Sequence, residues 1–267
     1  MDVAGKVVLV TGGGGGIGAG IAEAFAEKGA KVAVSDINLA FAQAEAARIG
    51  HGVIALEHDV TSPESWASVK AAVEAAFGPV DVVCNNAGVA LHFKPMEDVS
   101  LAEFDRVMAI NVRGVFLGCQ AFMSEMKARG SGHIVNTSSV NGQIPHGTFA
   151  VYSASKFAVA GLSEALRQEL APHGVGVSIL YPGLTRSRMS EGQVPDLPEE
   201  TQKALSALMM EAIWLGRAVV RAVESNELHI ITHPDHLDTL KARINALYDA
   251  FGEPAQPGYV AGRIPIG

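Results

Sequence analysis

Residues 6–18 read Lys6-Val7-Val8-Leu9-Val10-Thr11-Gly12-Gly13-Gly14-Gly15-Gly16-Ile17-Gly18, a short apolar run that enters five successive glycines. A valine-rich run of this length, closed by glycine, predicts a strand buried on both faces. Ile21, Ala22, Phe25 and Ala26 then recur at helical spacing, so the order is strand, glycine turn, helix. Glycines let the backbone approach a pyrophosphate closely, and the free N–H groups at the helix start point at it. The segment therefore predicts a dinucleotide cradle. Two glycine spacings fit, TGxxxGxG on Gly12, Gly16 and Gly18 and GxGxxG on Gly13, Gly15 and Gly18, and the run does not choose between them. A second apolar run, Lys31-Val-Ala-Val-Ser35, ends in Asp36, eighteen residues past Gly18, where a carboxylate meets the adenosine ribose hydroxyls. Neither the glycines nor Ile37-Asn38 supply a cation to offset a 2′-phosphate, so Asp36 predicts NAD rather than NADP.

Further strand-like runs at about 54–57, 80–84, 133–137, 176–181 and 228–231 alternate with helical stretches. That alternation predicts an α/β fold: a single doubly wound Rossmann-type domain over 1–251, with about seven parallel strands and helices on both faces. A Gly/Pro-rich tail, 252–267, follows it. The stretch 184–215 interrupts the pattern. It is polar and Pro-rich from Gln193 to Pro198, then amphipathic through Leu205, Leu208, Met209 and Ala212.

A second constellation lies downstream. Tyr152 and Lys156 stand four apart in Tyr-Ser-Ala-Ser-Lys, with Ser139 thirteen positions upstream. Residues at i and i+4 share a helix face, so the ammonium sits beside the phenol and favours its ionised form. An ordinary phenol titrates near 10, and a neighbouring cation in a partly dry cleft lowers it by about 2 to 3 units. Tyr152 is thus expected to shuttle a proton near neutrality, while Ser139 holds the substrate oxygen.

Together these residues resemble the short-chain dehydrogenase/reductase family, in its compact branch of roughly 250 residues. The resemblance extends to Asp59-Val60, to Asn85-Asn86-Ala87-Gly88, to Asn111, to His133-Ile-Val-Asn-Thr-Ser-Ser139 and to Pro182-Gly183, all in the family's order. It implies NAD bound by Gly12, Gly14, Gly16, Ile17, Gly18, Asp36, Asp59, Val60, Asn86, Ala87, Gly88, Tyr152, Lys156, Pro182, Gly183 and Thr185. It also implies four catalytic residues, Asn111, Ser139, Tyr152 and Lys156. Lys156 would lower the Tyr152 pKa and bond the nicotinamide ribose, and Asn111 would hold a water that passes the proton onward. The stretch 184–215 becomes a substrate lid. At the family's later Thr position stands Ser187, which keeps a hydroxyl. By the same resemblance the open end of the sheet would be lined by Asn141, His146, Phe149, Leu184, Met189, Met209 and Trp214. So apolar a set suits a bulky aromatic or alicyclic secondary alcohol or its ketone, with a hydroxysteroid as the nearest alternative. Arg186 and Arg188 keep an acidic substrate in view.

Two other classes are weighed. A non-catalytic NAD-binding scaffold or sensor is expected to have lost one of the four catalytic residues, and all four are present. A nucleotide-sugar epimerase shares the Tyr-x-x-x-Lys logic but needs a further substrate domain.

Composition restricts the partners. The 267 residues carry 20 Lys and Arg against 28 Asp and Glu, a net charge of −8, which argues against nucleic acid and anionic membranes. Hydrophobic residues make up 48% and the mean hydropathy is +0.23, as a sheet covered on both faces requires. No run of eighteen apolar residues suggests a membrane span, and the first strand begins too early for a signal peptide, so a cytoplasmic location is expected. Cys84 and Cys119 fall in apolar segments and read as core filler. His229, His233 and His236 bunch together, but their spacing suits no ligand face, so no metal is expected. His92 and His146 fall in loops at the open end. Leu162, Leu166 and Leu170, with the apolar stretch Val112–Phe122, suggest burial against other subunits, and the resemblance implies a homotetramer.

Overall fold

Seven parallel strands form one sheet in the order β3-β2-β1-β4-β5-β6-β7. They are β1 Val7–Thr11, β2 Lys31–Asp36, β3 Ile54–Glu57, β4 Val82–Asn85, β5 Gly132–Thr137, β6 Val175–Tyr181 and β7 His229–Ile231. The computed structural model describes residues 1–91, 93–187 and 199–252, without the side chains of Glu199 and Leu205. His92, Arg188, Met189, the Gln193–Pro198 stretch and the tail beyond Gly252 lie outside the described residues.

The seven expected strands and their direction match this sheet to within two residues at each end. The helices are α1 Gly16–Glu27, α2 Leu39–Ile49, α3 Pro63–Phe77, α4 Leu101–Met108, α5 Gly114–Arg129, α6 Ala150–Leu170, α7 Glu199–Leu208, α8 Ala212–Ser225 and α9 Leu237–Asp249. The chain divides into two units, the first spanning Met1–His233 and the second beginning at Pro234. The second holds α9, in which Lys241 and Asp238 form an ion pair of 3.7 Å.

Alternation along β1 explains the layers. Val8 and Val10 join Ile21, Phe25, Val34, Val219 and Val223 on one face of the sheet. Val7 and Leu9 join Val69, Phe122, Met126, Val159 and Leu170 on the other. Successive strand side chains point to opposite faces, so an unbroken apolar strand feeds two cores at once. Chain order runs outward from β1 in both directions, to β2 and β3 on one side and to β4 and beyond on the other. The crevice between the carboxyl ends of β1 and β4 is therefore the topological switch point, where such sheets bind ligands.

The helical run Leu101–Arg129 is long and apolar enough to cross a membrane by length and composition. In this fold its buried face, Val107, Asn111, Val115, Cys119, Phe122 and Met126, packs in the core of the unit. Within that run, residues Ala109–Arg113 form a π-turn that joins α4 to α5.

Candidate active site

Thr11 closes β1, and its hydroxyl gathers three backbone groups. Oγ1 donates to the Cys84 carbonyl at 3.3 Å and accepts from Asn86 N–H and Ala87 N–H at 3.0 Å each. Asn86 Nδ2 donates back to the Thr11 carbonyl at 3.0 Å. The turn after β4 is thereby sewn to the turn after β1. Gly12 sits at φ +64°, and a Cβ there would stand 2.9 Å from Ala87 Cα, so only glycine suits both the dihedral and the approach. Gly16 opens α1, with Ile17 and Gly18 in its first turn. Gly14 N–H donates to Asp36 Oδ2 at 3.1 Å, and Asn38 N–H to Asp36 Oδ1 at 3.0 Å, which fixes this carboxylate beside the glycine turn. Gly15, Gly16, Arg186 and Ser187 line part of a groove of about 530 Å³ at the start of α1. Asp59, after β3, accepts from Thr61 N–H and Oγ1–H at 2.8 and 2.7 Å, and these bonds hold its carboxyl below the ordinary range. The Val60 carbonyl accepts from the Trp66 indole N–H at 3.0 Å. A glycine cradle at a helix start, with a carboxylate at the end of the second strand, fits a dinucleotide.

Ser139 follows β5. Its Oγ accepts from Asn141 N–H at 3.1 Å, lies 3.4 Å from the Pro182 carbonyl and pulls the Tyr152 phenol toward a lower pKa. Tyr152 and Lys156 occupy the first two turns of α6, on its buried side. Lys156 Nζ donates to the Thr137 carbonyl at 2.9 Å and stands 5.6 Å from the centre of the Tyr152 ring. Gly88 comes close to both Lys156 and Asn111: a Cβ on it would lie 3.4 Å from Lys156 Nζ and 3.3 Å from Asn111 Oδ1.

The electrostatics differ from expectation at Tyr152. Burial pushes its phenol above the ordinary value, against the pull of the Ser139 hydrogen bond. Burial also lowers the Lys156 ammonium, to about 8. The helix spacing does place the cation beside the ring, but the site is drier than the sequence suggested, and desolvation of the phenol sets the direction of its shift.

Asn111 lies in the π-turn. Its Oδ1 accepts from Val89 N–H at 2.8 Å, and its Nδ2 donates to the Val89 carbonyl at 2.9 Å and to Ser155 Oγ at 3.0 Å. Ser155 in turn donates to the Tyr152 carbonyl at 2.7 Å. The side chain expected to hold a water is thus engaged in tying the segment after β4 to α6. A π-turn is a common device for setting a functional residue out of helical register.

After β6, Pro182 and Gly183 lead to Thr185, whose hydroxyl donates to the Gly183 carbonyl at 3.1 Å. Leu184 and Arg186 pair with Met210 through Met210 N–H to the Leu184 carbonyl and Arg186 N–H to the Met210 carbonyl, both 3.0 Å. Arg186 also grips Glu211 at 2.9 Å and Ser206 at 3.1 Å, so α7 is fastened back to this turn. Its guanidinium is committed to protein partners.

Of the expected substrate residues, Phe149 packs against Tyr152, the rings tilted with centres 4.6 Å apart, and His146 precedes it in the same loop. Asn141 Oδ1 accepts from Ser153 Oγ at 3.4 Å, and Leu184 is half exposed on the turn after β6. Met209 follows α7, whose last residue, Leu208, is 72% exposed. Trp214 stands on α8, 58% exposed, with the Arg217 guanidinium 4.9 Å from its ring.

Sequence reasoning missed four contributors. Thr11 and Ser155 act through hydrogen bonds to distant segments. Phe93 stacks on Phe149 at 4.5 Å and meets His146 edge-on at 5.6 Å, completing an aromatic file that leads to Tyr152. The fourth is His233, bonded to the turn after β6. Only Thr11, between the strand and the glycines, had a position that could have signalled its role.

Elsewhere, burial pushes the Cys84 thiol far above its usual value and the Cys119 thiol to about 12, which leaves both inert as core residues. Among the described residues no group of three or more His, Cys, Asp or Glu converges on one point.

The model of the family described as short chain dehydrogenase matches residues 6–198. A 3-alpha-(or 20-beta)-hydroxysteroid dehydrogenase of Mycobacterium tuberculosis is 39% identical over 81% of this chain and 81% of its own. A D-threitol dehydrogenase of Mycolicibacterium smegmatis is 42% identical over 67% and 69%. Among solved structures, a short chain dehydrogenase/reductase from Burkholderia phymatum in complex with NAD superposes with a TM-score of 0.86, at 28% identity, over 97% of this chain and all of its own.

Proposed function

The chain belongs to the short-chain dehydrogenase/reductase family, and on that premise we propose that it interconverts a bulky aromatic or alicyclic secondary alcohol and its ketone, with Tyr152 as general acid and base. It is an alcohol dehydrogenase/ketone reductase, and NAD(H) is its cofactor. Bound NAD supplies the hydride acceptor for oxidation, and NADH the donor for reduction. Gly12 to Gly18 take the pyrophosphate, Asp36 the adenosine ribose, and Pro182, Gly183 and Thr185 the nicotinamide end. The substrate oxygen lies between Ser139 Oγ and the Tyr152 phenol. Tyr152 accepts the hydroxyl proton in oxidation and returns it to the carbonyl oxygen in reduction. Lys156, beside it, favours the tyrosinate, and Asn111 holds Val89 and Ser155 in place around it.

One relative is named for a hydroxysteroid and another for D-threitol. The observation that carries the apolar reading is the aromatic file Phe93–Phe149–Tyr152, with centres 4.5 and 4.6 Å apart. Its outer ring is 57% exposed, a face on which a flat apolar substrate can stack. A hydroxysteroid, flat in outline and largely apolar, fits the same surface and stays the second reading. An NAD-coupled screen across 1-phenylethanol-type, cyclic, steroid, polyol and hydroxy-acid substrates tests this. The first three classes should give the highest kcat/KM, and Phe93→Ala should lower it for them by about tenfold, the worth of one stacked pair. A clear preference for polyols or hydroxy acids would overturn it.

A homotetramer in the cytoplasm is part of the same proposal. Phe116 on α5 is 48% exposed, and Ala154 and Gly161 present a small-residue outer face on α6. Leu166 and Leu170 do not contribute, because they belong to the core of the subunit itself. Light scattering should report four chains at micromolar concentration, and a monomer would refute the assembly.

A further inference from the structure

His233 lies two residues past β7, outside every residue assigned above to cofactor or substrate. Its imidazole grips the turn after β6 at two points. Nδ1 accepts from Gly183 N–H at 3.0 Å, and Nε2 lies 3.2 Å from the Leu184 carbonyl, to which it donates as the Nε2–H tautomer. Thr232 Oγ1 stands 2.8 Å from Nδ1 and 3.4 Å from the Tyr181 carbonyl, and its single hydroxyl proton serves one of these two acceptors. The ring also occupies the space a side chain at position 183 would need: a Cβ there would meet His233 Cγ at 2.6 Å. Gly183 and His233 are thus a matched pair, the absent side chain making room for the ring.

The Leu184 carbonyl is the junction. It accepts from His233 Nε2 and from Met210 N–H at 3.0 Å, and Arg186 N–H bonds the Met210 carbonyl in return. One imidazole therefore fastens the Pro182–Thr185 turn and the place where the segment returning from α7 pairs with it. Backbone that must meet a nicotinamide carboxamide has little sheet structure of its own to hold it here, since β6 ends at Tyr181 and β7 at Ile231. A two-point side-chain brace supplies that rigidity.

We propose that His233 is a positioning residue that staples the turn after β6, setting affinity for the nicotinamide half of the cofactor without touching the reacting atoms. This rests on the cofactor reading above. The test is NADH titration by fluorescence, with steady-state kinetics, on the intact wild type and on H233A, H233F and H233N, each first checked for an unchanged unfolding midpoint. H233A and H233F should weaken NADH binding about tenfold, with kcat at saturating cofactor reduced less than about threefold. H233N, whose amide oxygen can still accept from Gly183 N–H, should recover at least half of the loss on a logarithmic scale. Should H233A fail to fold, H233F against H233N decides, because one keeps the ring and the other the hydrogen bond. Wild-type affinity in H233F would mean that the ring merely packs, and would overturn the staple. So would a collapse of kcat with unchanged NADH affinity. If the wild type itself binds no NADH, the cofactor reading fails, and the staple's purpose with it.

Discussion

At the scale of single residues, Tyr152 is where physical chemistry bears hardest on function. Its phenol is held above its ordinary pKa by burial, so at neutral pH it is a protonated acid, the form that ketone reduction needs. In the proposed mechanism oxidation needs the tyrosinate, whose population falls tenfold for each unit of pH below the pKa. Oxidative kcat should therefore rise with pH across about 7 to 9, and Tyr152→Phe should flatten that rise and cost at least about 100-fold while NADH binding stays nearly unchanged. A variant keeping a tenth of the rate would remove Tyr152 from the role. Lys156→Ala should damage both turnover and NAD affinity. Asp36 gives a second test at this scale. Its carboxylate, fixed by Gly14 N–H and Asn38 N–H, would meet a 2′-phosphate as an unshielded like charge. NAD should be preferred over NADP by about 100-fold in kcat/KM, about 2.7 kcal/mol, and equal values would refute it. The placement of these residues was legible in sequence because it follows from local spacing. Phe93 and His233 were not, because an aromatic file and a two-point brace exist only once separate loops have been brought together.

At the scale of elements, the sequence predicted strands well because continuous valine-rich runs bounded by glycine admit little else. What it could not show was how closely helices approach. α1 and α8 meet backbone to backbone at Gly20 and Gly216: a Cβ on Gly216 would run into the Gly20 carbonyl, and one on Gly20 into Ala212. Nothing in the local pattern of either helix announces the contact. Since α1 begins at the proposed cofactor cradle, a shift of α1 there should displace Gly16 and its neighbours. Gly216→Val should destabilise the fold by about 1–3 kcal/mol, as overpacking does, and weaken NADH binding at the same time. Urea unfolding and NADH titration on one sample decide this, and full affinity at reduced stability would uncouple helix packing from the cradle. The π-turn at Asn111 was equally hidden, because the apolar pattern runs through Leu101–Arg129 without a break while the hydrogen-bond register shifts inside it.

For the whole molecule, stability should depend on pH through groups remote from the chemistry. His58 is held by Ser35 Oγ at 3.0 Å against the edge of Trp66, and His133 by Ser178 Oγ at 2.8 Å inside the sheet. Burial lowers their pKa values from 6.5 to about 4 and about 3. Because both folded values are depressed, the unfolded chain binds more protons than the native one below about pH 6.5. Their contribution to stability is therefore complete above that pH and is lost as pH falls from there toward 4. Each histidine costs up to about 1.4 kcal/mol per pH unit in that window, so the pair removes about 3 to 4 kcal/mol between pH 7 and pH 5. Lys156 acts at the other end: lowered to about 8, its stability deficit should shrink as pH rises toward its unfolded value of 10.5. Chemical denaturation at pH 7, 6 and 5 should show the acid loss, and His58→Gln and His133→Gln should each remove about half of the slope whatever they cost at pH 7. A slope unchanged in both variants would mean that acid sensitivity arises elsewhere in the molecule.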